Sequence, residues 1–507
     1  MCIRDRITGS LLHDIGKVVY REGSDRRNHS VSGYDFLKEE GKIEDKEILD
    51  CVRYHHFSEI KSAHLKEDNL AYIVYLADNI AAFADRRKKE DTEEKGFDLS
   101  VPLQSVFNVL NGNNQSFYYQ PGDMDDQGKI NYPASEKKPF SREFYMKICQ
   151  RMLDNFRGMN WSEEYLNSLL AVMEANLSYM PSSTSNEELS DISLFDHVKL
   201  TAAISSCIYD YLNENHLSYK TELFDKKDFY DRNAFLLCSM DISGIQSFIY
   251  TISSKNALKT LRARSFYLEI MMEHIIDLLL DRLQLSRANL LYSGGGHCYL
   301  LFANTTETVI QIQKFQEELK EWLLKQFQTD LFVAFGYVQC TGNAFRNVPE
   351  GSYTELFSKM SKMLSLQKQH RYTAREIIRL NNRKEQDYSR ECKVCKKIGH
   401  VDEEGVCPLC RKIEKLSKNV LYADFFSVVL ENPDEREDAM PLPGGYCLAA
   451  DDEKKLCRRM ENDDYFVRAY SKNKLYTGKH IATKLWVGDY STCLLYTSDA
   501  ADDTPCV

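Results

Sequence analysis

Asn289-Leu290-Leu291-Tyr292-Ser293-Gly294-Gly295-Gly296-His297-Cys298-Tyr299-Leu300-Leu301-Phe302 carries an apolar run on each side of three consecutive glycines. This pattern predicts a strand, a tight turn and a second strand. Glycines in such a turn allow positive φ angles, and they also let a ligand approach the backbone closely. The tip has a histidine and no carboxylate, so a plain tight turn is the simpler interpretation of the glycines alone.

The segments around this hairpin complete a β-α-β-β-α-β order. Apolar runs at 234–241 and 331–338 predict the flanking strands, and helical spacing covers about 256–286 and 306–327. This is the order of ferredoxin-like domains. Asp241, at the end of the first strand, would lie beside the hairpin, where a catalytic palm pairs two carboxylates to hold metal ions.

The N-terminal part of the chain is rich in histidine and aspartate. The set comprises His13, Asp14, His29, His55, His56 and Asp78. Apolar spacing predicts helices at 11–20, 29–40, 44–56 and 68–86. Imidazole and carboxylate together suit a divalent transition metal, and such an ion can acidify a bound water for phosphoester hydrolysis. A lone His-Asp pair is usually structural, but this whole set in a helical block favours a metal site.

Four cysteines form the strongest chemical pattern. Cys392 and Cys395, then Cys407 and Cys410, are two Cys-x-x-Cys pairs separated by 11 residues. Two such pairs can place four thiolates tetrahedrally around Zn²⁺ and leave no position for a substrate. The spacing therefore predicts a structural zinc site, with a redox role as the lesser alternative.

Bulk properties exclude several classes of protein. A chain of 507 residues can hold several domains. Its net charge of -11 argues against wholesale nucleic-acid wrapping and leaves a local basic groove open. We find no secretory signal and no apolar run approaching the ~20 residues of a membrane span. The 15 cysteines are sparse and irregular apart from the two pairs, which favours a reducing, cytoplasmic setting.

Both ends are similar to translated sequencing-adapter sequence, so residues 1–7 and 493–507 are set aside as adapter-derived, and a longer native product is expected. Residues 87–135 are polar and predict a linker and loops, and 139–230 predict mostly helix. Helices are expected at 351–390, and strands with loops from Val420 to about 490.

Two strings together carry a specific resemblance. Asp241-Ile242-Ser243-Gly244-Ile245-Gln246 and Tyr292-Ser293-Gly294-Gly295-Gly296-His297 resemble the first palm of the large subunit of type III-A CRISPR (Csm) effector complexes. The N-terminal set resembles the HD phosphohydrolase superfamily, and this large subunit contains an HD-like domain and a cysteine module as well. HD domains usually have a further histidine upstream of the His-Asp pair. None precedes His13, so the ligand set stays open.

The resemblance implies a fold class and domain order. The expected class is α+β multidomain, with an all-helical HD domain, a ferredoxin-like (βαββαβ) palm and a helical segment bearing the four-cysteine zinc module. The expected segments are 8–90 (HD core), 91–230 (linker and helical extension of the HD block), 231–345 (first palm, GGDEF-like but degenerate), 346–420 (helical and zinc-binding) and 421–492 (the region leading to an absent second palm).

The resemblance also implies site residues and ligands. His13 and Asp14 would be catalytic and metal-binding, with His29, His55, His56 and Asp78 as further metal ligands. ATP contacts would map to Asp241, Ser243, Gly244, Gln246, Ser293, Gly294, Gly295, Gly296 and His297. The HD ion would be Mn²⁺, Ni²⁺ or Co²⁺, the cysteines would hold structural Zn²⁺, and Mg²⁺ or Mn²⁺ would accompany ATP. Implied partners are crRNA, the other Csm subunits, target RNA and single-stranded DNA, with no membrane.

In that family the HD domain cuts single-stranded DNA once target RNA pairs with the guide, and two palms convert ATP into cyclic oligoadenylates. The carboxylates of the synthase lie in a Gly-Gly-Asp-Asp motif of the second palm, which this sequence lacks. We therefore expect DNA hydrolysis without cyclase activity. The alternatives are an HD/GGDEF-type cyclic-dinucleotide signalling enzyme and a non-catalytic scaffold of a ribonucleoprotein.

Overall fold

The computed structural model describes residues 3–485 except 24, 26, 86, 90–94, 123, 125–129, 158, 160, 163–164, 252–256, 383–389, 431–438 and 475–481. The N-terminal block is helical. Its helices are α1 (Ile3–Leu12), α2 (Gly16–Glu22), α3 (His29–Asp35), α4 (Lys46–Arg53), α5 (Phe57–Ser62), α6 (Ala71–Asp85), α7 (Arg142–Arg157), α8 (Leu166–Leu177) and α9 (Leu194–Glu214). Short π-helical turns follow α3 at Phe36–Glu40 and α9 at Thr221–Asp225.

One prediction for the start of the chain is wrong, and the adapter origin of the first seven residues stays a prediction. The helix expected at 11–20 is broken, because His13, Asp14 and Ile15 form the turn between α1 and α2. Residues 3–7, which we had set aside from the fold, begin α1. Ile7 is fully buried, and Arg6 pairs with Asp210 of α9. Residues 493–507 lie outside the described residues.

The 87–135 segment is irregular, as expected, but part of it is anchored and does not act as a linker. Isolated antiparallel bridges join Lys88 to Glu188 and Phe97 to Ser185. These backbone contacts attach the segment to the chain between α8 and α9. The same segment also contains a short 3₁₀-helix at Val106–Asn111.

A four-stranded antiparallel sheet follows the helical block. Its strands are β1 (Phe235–Ser243), β2 (Leu290–Gly294), β3 (His297–Ala303) and β4 (Phe332–Cys340), in the order β2-β3-β1-β4. The helices α10 (Ile245–Tyr250) and α11 (Ala257–Arg282) connect β1 to β2, and α12 (Thr306–Phe327) connects β3 to β4. This chain order and strand order are those of a βαββαβ unit.

The two faces of this sheet pack against different partners. Leu236, Cys238 and Met240 of β1 point into a core shared with α11 and α12. The alternate residues Phe235 and Leu237 point into a second core shared with α6 and α9. The sheet therefore joins the helical block directly, because α9 packs on β3.

The remaining helices and strands follow β4. They are α13 (Gly342–Phe345), α14 (Ser352–Gln369), α15 (Ala374–Asn381), α16 (Pro408–Tyr422), β5 (Phe425–Leu430), β6 (Met440–Leu442), β7 (Tyr446–Asp451), α17 (Glu453–Asn462), β8 (Phe466–Lys472) and β9 (Thr483–Leu485). α14 packs on β1 and β4. The last five strands form a sheet in the order β6-β7-β5-β8-β9, in which only the β8–β9 pair is parallel.

The first strand of this second sheet starts later than predicted. Val420 was expected to open it, but residue 420 belongs to α16, where Pro408 occupies the first helical turn and Ile413, Leu416 and Val420 form a buried stripe. Within the described residues, no helix combines the length and apolar character that a membrane span requires. The architecture is therefore a helical block joined to mixed α/β parts.

Candidate metal centre and nucleotide site

The side chains of the N-terminal set converge from five helices and their ends. His13 and Asp14 stand in the α1–α2 turn, His29 begins α3, and His55 and His56 follow the end of α4. Asp78 lies in α6. The structure adds a seventh residue, His197, from the first turn of α9. Their ligand atoms form two groups, and within each group the atoms lie within 4.8 Å of one another. The first group is His29, His55 and His56, and the second is His13, Asp14, Asp78 and His197.

The Asp14 carboxylate connects the two groups. Its Oδ1 lies 3.2 Å from His29 Nε2, and its Oδ2 lies 3.2 Å from His197 Nε2. Asp78 Oδ1 completes the second group at 3.1 Å from His197 Nε2. One carboxylate that faces two sets of imidazoles is the arrangement that a two-metal hydrolytic centre needs.

Backbone carbonyls orient two of the rings. His13 Nδ1 is 2.6 Å from the carbonyl of Ser10, and His55 Nδ1 is 2.8 Å from that of Val52. A carbonyl oxygen can only accept, so each Nδ1 donates, and each Nε2 keeps its lone pair directed into the cluster. A hydrogen bond of this kind fixes the tautomer that binds a metal.

The electrostatics of the cluster favour an anionic Asp14 and a neutral His55. Burial raises the pKa of Asp14, but Lys17, His13 and hydrogen bonds from His197 and His29 outweigh it and hold the pKa well below its ordinary value. Lys17 Nζ is 2.5 Å from Asp14 Oδ2. Burial, together with the neighbouring imidazoles, holds the pKa of His55 well below its ordinary value. These are the protonation states of metal ligands.

The residues fit a divalent transition metal. His13 Nε2 is fully buried and makes no hydrogen bond within the part of the chain that the structure describes. A buried nitrogen lone pair without a donor is costly in a protein interior, and an ion would satisfy it. Imidazole nitrogens mixed with carboxylate oxygens select for a transition metal over Ca²⁺.

His197 was absent from our sequence prediction. It lies on a helix that follows the His-Asp pair in the chain, and it faces Asp14 and Asp78. A signal was present, since His197 lies on the buried stripe of α9 with Leu194, Val198 and Thr201. A histidine within an apolar helical stripe is usually a core residue, and only the fold shows what it faces.

The four cysteines come together as predicted. Their Sγ atoms lie within 4.8 Å of one another, and Cys395 Sγ is 3.7 Å from Cys407 Sγ. Tetrahedral coordination with Zn–S bonds of ~2.3 Å requires sulfur separations of about 3.8 Å. Hydrogen bonding among the thiols lowers the pKa of Cys395 and raises the pKa values of Cys407 and Cys410, so Cys395 is the first of these three to become a thiolate. The set therefore fits zinc.

The predicted nucleotide residues divide into three places. Asp241 and His297 face each other across β1 and β3, and His297 Nδ1 is 3.3 Å from Asp241 Oδ2. Lys368 of α14 pairs with the same carboxylate oxygen at 2.7 Å. Burial raises the pKa of Asp241, but His297 and Lys368 lower it below the ordinary value. The Lys368 ammonium therefore pairs with the Asp241 carboxylate beside the hairpin.

The hairpin lines a separate cavity of about 240 Å³. Ser293, Gly294, Gly295 and Gly296 form one wall. Ser293 Oγ donates to Glu273 Oε1 of α11 at 2.6 Å. On the same helix, burial and the neighbouring Glu273 raise the pKa of Glu269, which also lines the cavity, to about 7. Lys199 of α9 lines the same cavity, which is therefore formed by residues of both the helical block and the sheet.

The remaining predicted residues lie at the junction of β1 and α10. Gln246 is exposed, and none of Ser243, Gly244 and Gln246 lines the cavity. Gly244 has φ +94°, and a Cβ there would stand 1.8 Å from the carbonyl oxygen of Asp330. Close backbone packing therefore explains this glycine, and its role in nucleotide binding stays a prediction.

Family comparisons agree with this geometry. Residues 4–82 match the HD domain, and residues 234–383 match the Csm1 subunit domain B. The CRISPR system single-strand-specific deoxyribonuclease Cas10/Csm1 (subtype III-A) of Enterococcus italicus is 41% identical over 497 residues, which cover 95% of this chain and 65% of the relative. The chain is a homologue of the Cas10/Csm1 proteins. It spans between 46% and 65% of the length of the curated relatives it matches here.

Solved Csm1 structures share the fold of the chain. The Csm1–Csm4 cassette in complex with one ATP superposes with a TM-score of 0.68 at 24% identity, covering 97% of this chain and 61% of the Csm1 chain. The cassette in complex with cA4 has a TM-score of 0.68 at 22% identity, covering 96% and 60%. The Cas10/Csm1 fold therefore extends over nearly all of this sequence.

Proposed function

We propose that this chain is part of a large subunit of a type III-A CRISPR effector, in which the HD cluster hydrolyses single-stranded DNA with a divalent metal. The observation that carries the proposal is the Asp14 carboxylate between two groups of imidazoles, 3.2 Å from His29 and 3.2 Å from His197. The curated relatives bear the name of a single-strand-specific deoxyribonuclease, and they support the choice of substrate.

The residues have distinct roles in this hydrolysis. A divalent ion bound here would supply an acidified water and polarise the scissile phosphate. His13, Asp14, Asp78 and His197 would hold one ion, and Asp14 with His29, His55 and His56 would hold a second. Lys17, beside Asp14, would face the negative charge that develops on the phosphate. The water oxygen bonds to phosphorus, and the bond from phosphorus to the leaving sugar oxygen breaks.

The four-stranded sheet would supply one half of an ATP site. The hairpin cavity offers backbone N–H groups of Gly294, Gly295 and Gly296 together with Lys199. A Csm1 structure of this fold in complex with ATP supports nucleotide binding. Cyclic-oligoadenylate synthesis would require carboxylates from a second palm, with Mg²⁺ or Mn²⁺, because Lys368 neutralises Asp241 here.

The proposal extends to partners and setting. The chain would act in the cytoplasm beside crRNA, target RNA and the other Csm subunits, and the Csm1–Csm4 cassettes of the same fold support the last of these. The four cysteines would hold zinc as a structural element, since they leave no position for a substrate.

Cleavage of single-stranded DNA tests the nuclease. Mn²⁺, Ni²⁺ and Co²⁺ are titrated into an assay with a labelled strand, comparing the wild type with the His13→Ala/Asp14→Ala double variant. We expect the double variant to lose at least about a hundredfold in rate, because both bound ions lose a ligand. His64→Ala is the matched control, because His64 is exposed and belongs to neither group.

Two outcomes would contradict the proposal. If the wild type cuts no strand with any of the three metals, the non-catalytic scaffold is the better interpretation. If it hydrolyses cyclic dinucleotides and leaves single-stranded DNA intact, the cyclic-dinucleotide signalling enzyme is favoured.

A further inference from the structure

A second cavity opens directly beside the metal cluster. Its volume is about 510 Å³, and its lining includes His29 of the cluster and Lys17, which pairs with Asp14. This volume lies within the ~300–1,000 Å³ range of ligand sites in proteins. The other lining residues are Tyr20, Arg21, Arg27, Asn28, Phe97, Leu99, Ser182, Ser183, Thr184, Ser185 and Glu188. A molecule that occupies this cavity therefore contacts His29, one residue of the metal cluster.

The wall made by residues 182–185 is held in place from two sides. Arg21, buried in α2, donates from Nη1 to the carbonyl of Pro181 at 2.8 Å. The Asp98 amide donates to the carbonyl of Thr184 at 2.9 Å, next to the Phe97–Ser185 bridge. The 96–99 stretch and this wall thus form one unit that keeps Phe97 at the edge of the cavity.

Two aromatic side chains of the lining are open to solvent. Phe97 is 75% exposed and Tyr20 is 36% exposed. Neither ring stacks on another aromatic ring among the described residues. A phenylalanine whose backbone is fixed by a bridge and whose ring is exposed offers a flat apolar face on which a base can stack.

The polar lining complements a phosphate backbone. Lys17, Arg21 and Arg27 contribute positive charge against the single carboxylate of Glu188, in a chain whose net charge is -11. Arg27 is 57% exposed and pairs with Asp25 and Asp35, which holds its guanidinium at the rim. Hydroxyl groups on the 182–185 wall can donate to phosphate or sugar oxygens.

We propose that this cavity is the channel that receives single-stranded DNA, with Phe97 and Tyr20 as platforms for its bases and Lys17 and Arg27 as contacts for its phosphates. The inference rests on the proposed nuclease function and adds how the strand is selected. A base stacks on an aromatic side chain only when it is unpaired, so duplex DNA cannot use these platforms. Stacking tolerates any base, so the channel would recognise the strand with little regard to sequence.

The test compares two substrates of the same metal-loaded chain. Wild type and Phe97→Ala are assayed with Mn²⁺ on an oligodeoxythymidine and on bis(p-nitrophenyl) phosphate, a small phosphodiester without a nucleobase. We expect Phe97→Ala to raise KM for the oligonucleotide by at least about fivefold, as the loss of one stacked base implies. Its rate on the small diester should stay at the wild-type value.

Two further variants separate stacking from folding. Phe107→Ala removes a ring that is 64% exposed on the 3₁₀-helix Val106–Asn111 and lies outside the cavity, so both substrates should behave as in wild type. Phe97→Trp keeps an aromatic platform and should restore the oligonucleotide KM.

The inference is overturned if Phe97→Ala behaves like Phe107→Ala, or if it slows both substrates equally. A wild type inert on both substrates would refute the proposed nuclease instead. The channel is then tested by the binding of a fluorescent oligodeoxythymidine in the presence of EDTA, measured by fluorescence anisotropy. Weaker binding by Phe97→Ala than by Phe107→Ala supports the channel, and equal binding refutes it.

Discussion

Asp14 is the residue on which the arrangement of the metal centre depends. Its two oxygens face different groups of imidazoles, and Lys17 lies 2.5 Å from one of them. Because Asp14 stands in a turn, its carboxylate reaches between α3 and α9 instead of running along one helix. A longer carboxylate such as glutamate would shift both contacts at once.

His197 should control how much metal the chain binds. We expect His197→Asn to bind one transition-metal ion at least about tenfold more weakly and to cut single-stranded DNA correspondingly more slowly, because one group loses an imidazole nitrogen. Isothermal titration with Mn²⁺ and metal analysis after dialysis measure the first effect. His216→Asn is the matched control, since His216 is exposed just beyond α9 and Asn tolerates its positive φ of 53°. Unchanged stoichiometry and affinity in His197→Asn would remove His197 from the ligand set.

The segment that carries the four cysteines buries few apolar side chains. Its small core consists of Cys392, Val401 and Cys410, with the other two cysteines partly buried against it. Arg264 of α11 contacts Cys410 Sγ at 3.6 Å, so the cysteine module also touches the helix that covers the four-stranded sheet. Metal binding must supply the order that such a short segment cannot obtain by burial.

Zinc should therefore be required for local order between Arg390 and Tyr422. We expect Cys395→Ser to lose the bound zinc, and trypsin to cut this segment at least about ten times faster because local opening is no longer opposed by metal binding. Elemental analysis and timed proteolysis with mass spectrometry measure the two effects. Cys457→Ser, in α17, should leave both unchanged. Full zinc content in Cys395→Ser would contradict a four-thiolate site.

The sequence predicted features that depend on residues close together in the chain, and it missed features that depend on contacts between distant residues. The glycine hairpin, the flanking strands and the two cysteine pairs follow from neighbouring residues, and the structure forms each of them. Six of the seven clustered residues of the HD site were also predicted. His197 was missed because its place on the apolar stripe of α9 indicates only a core position, and what it faces depends on packing between α9 and α6. The break at residues 13–15 was missed because apolar spacing continues through it.

The nucleotide prediction shows the same limit. Asp241 and the hairpin were expected to lie together, and they do, but nothing near Asp241 in the sequence indicates Lys368. The linker assigned to 87–135 was misjudged because polar composition does not reveal backbone pairing with a distant loop. Backbone bridges such as Phe97–Ser185 form between main-chain groups, so they do not require particular side chains that a sequence pattern would reveal.

For the whole chain, we expect ATP binding without cyclic product. With Mg²⁺, the wild type should bind ATP by equilibrium dialysis, and chromatography should detect no cyclic oligoadenylate. Gly296→Val should weaken binding at least about tenfold, because its Cβ would stand 2.4 Å from Ile245 Cδ1 and valine tolerates φ +79° poorly. Gly399→Val is the control, since a Cβ there meets nothing within 4 Å.

Either of two results would overturn this expectation. Cyclic product from this chain alone would show that the second-palm carboxylates are dispensable. Equal ATP affinity in Gly296→Val and Gly399→Val would move the nucleotide site away from the hairpin.

Helix α9 has a consequence for where this protein can be divided. It carries His197 in its first turn, and further along it Ser206 hydrogen-bonds to Asn289, whose amide reaches the carbonyl of Leu301 in β3 at 2.8 Å. The recognisable HD region ends at residue 82, well before this helix. A fragment that ends at residue 82 would lack His197. A fragment that extends through α9 would expose the apolar face that α9 packs against β3. The modules that sequence boundaries suggest are thus not separable parts.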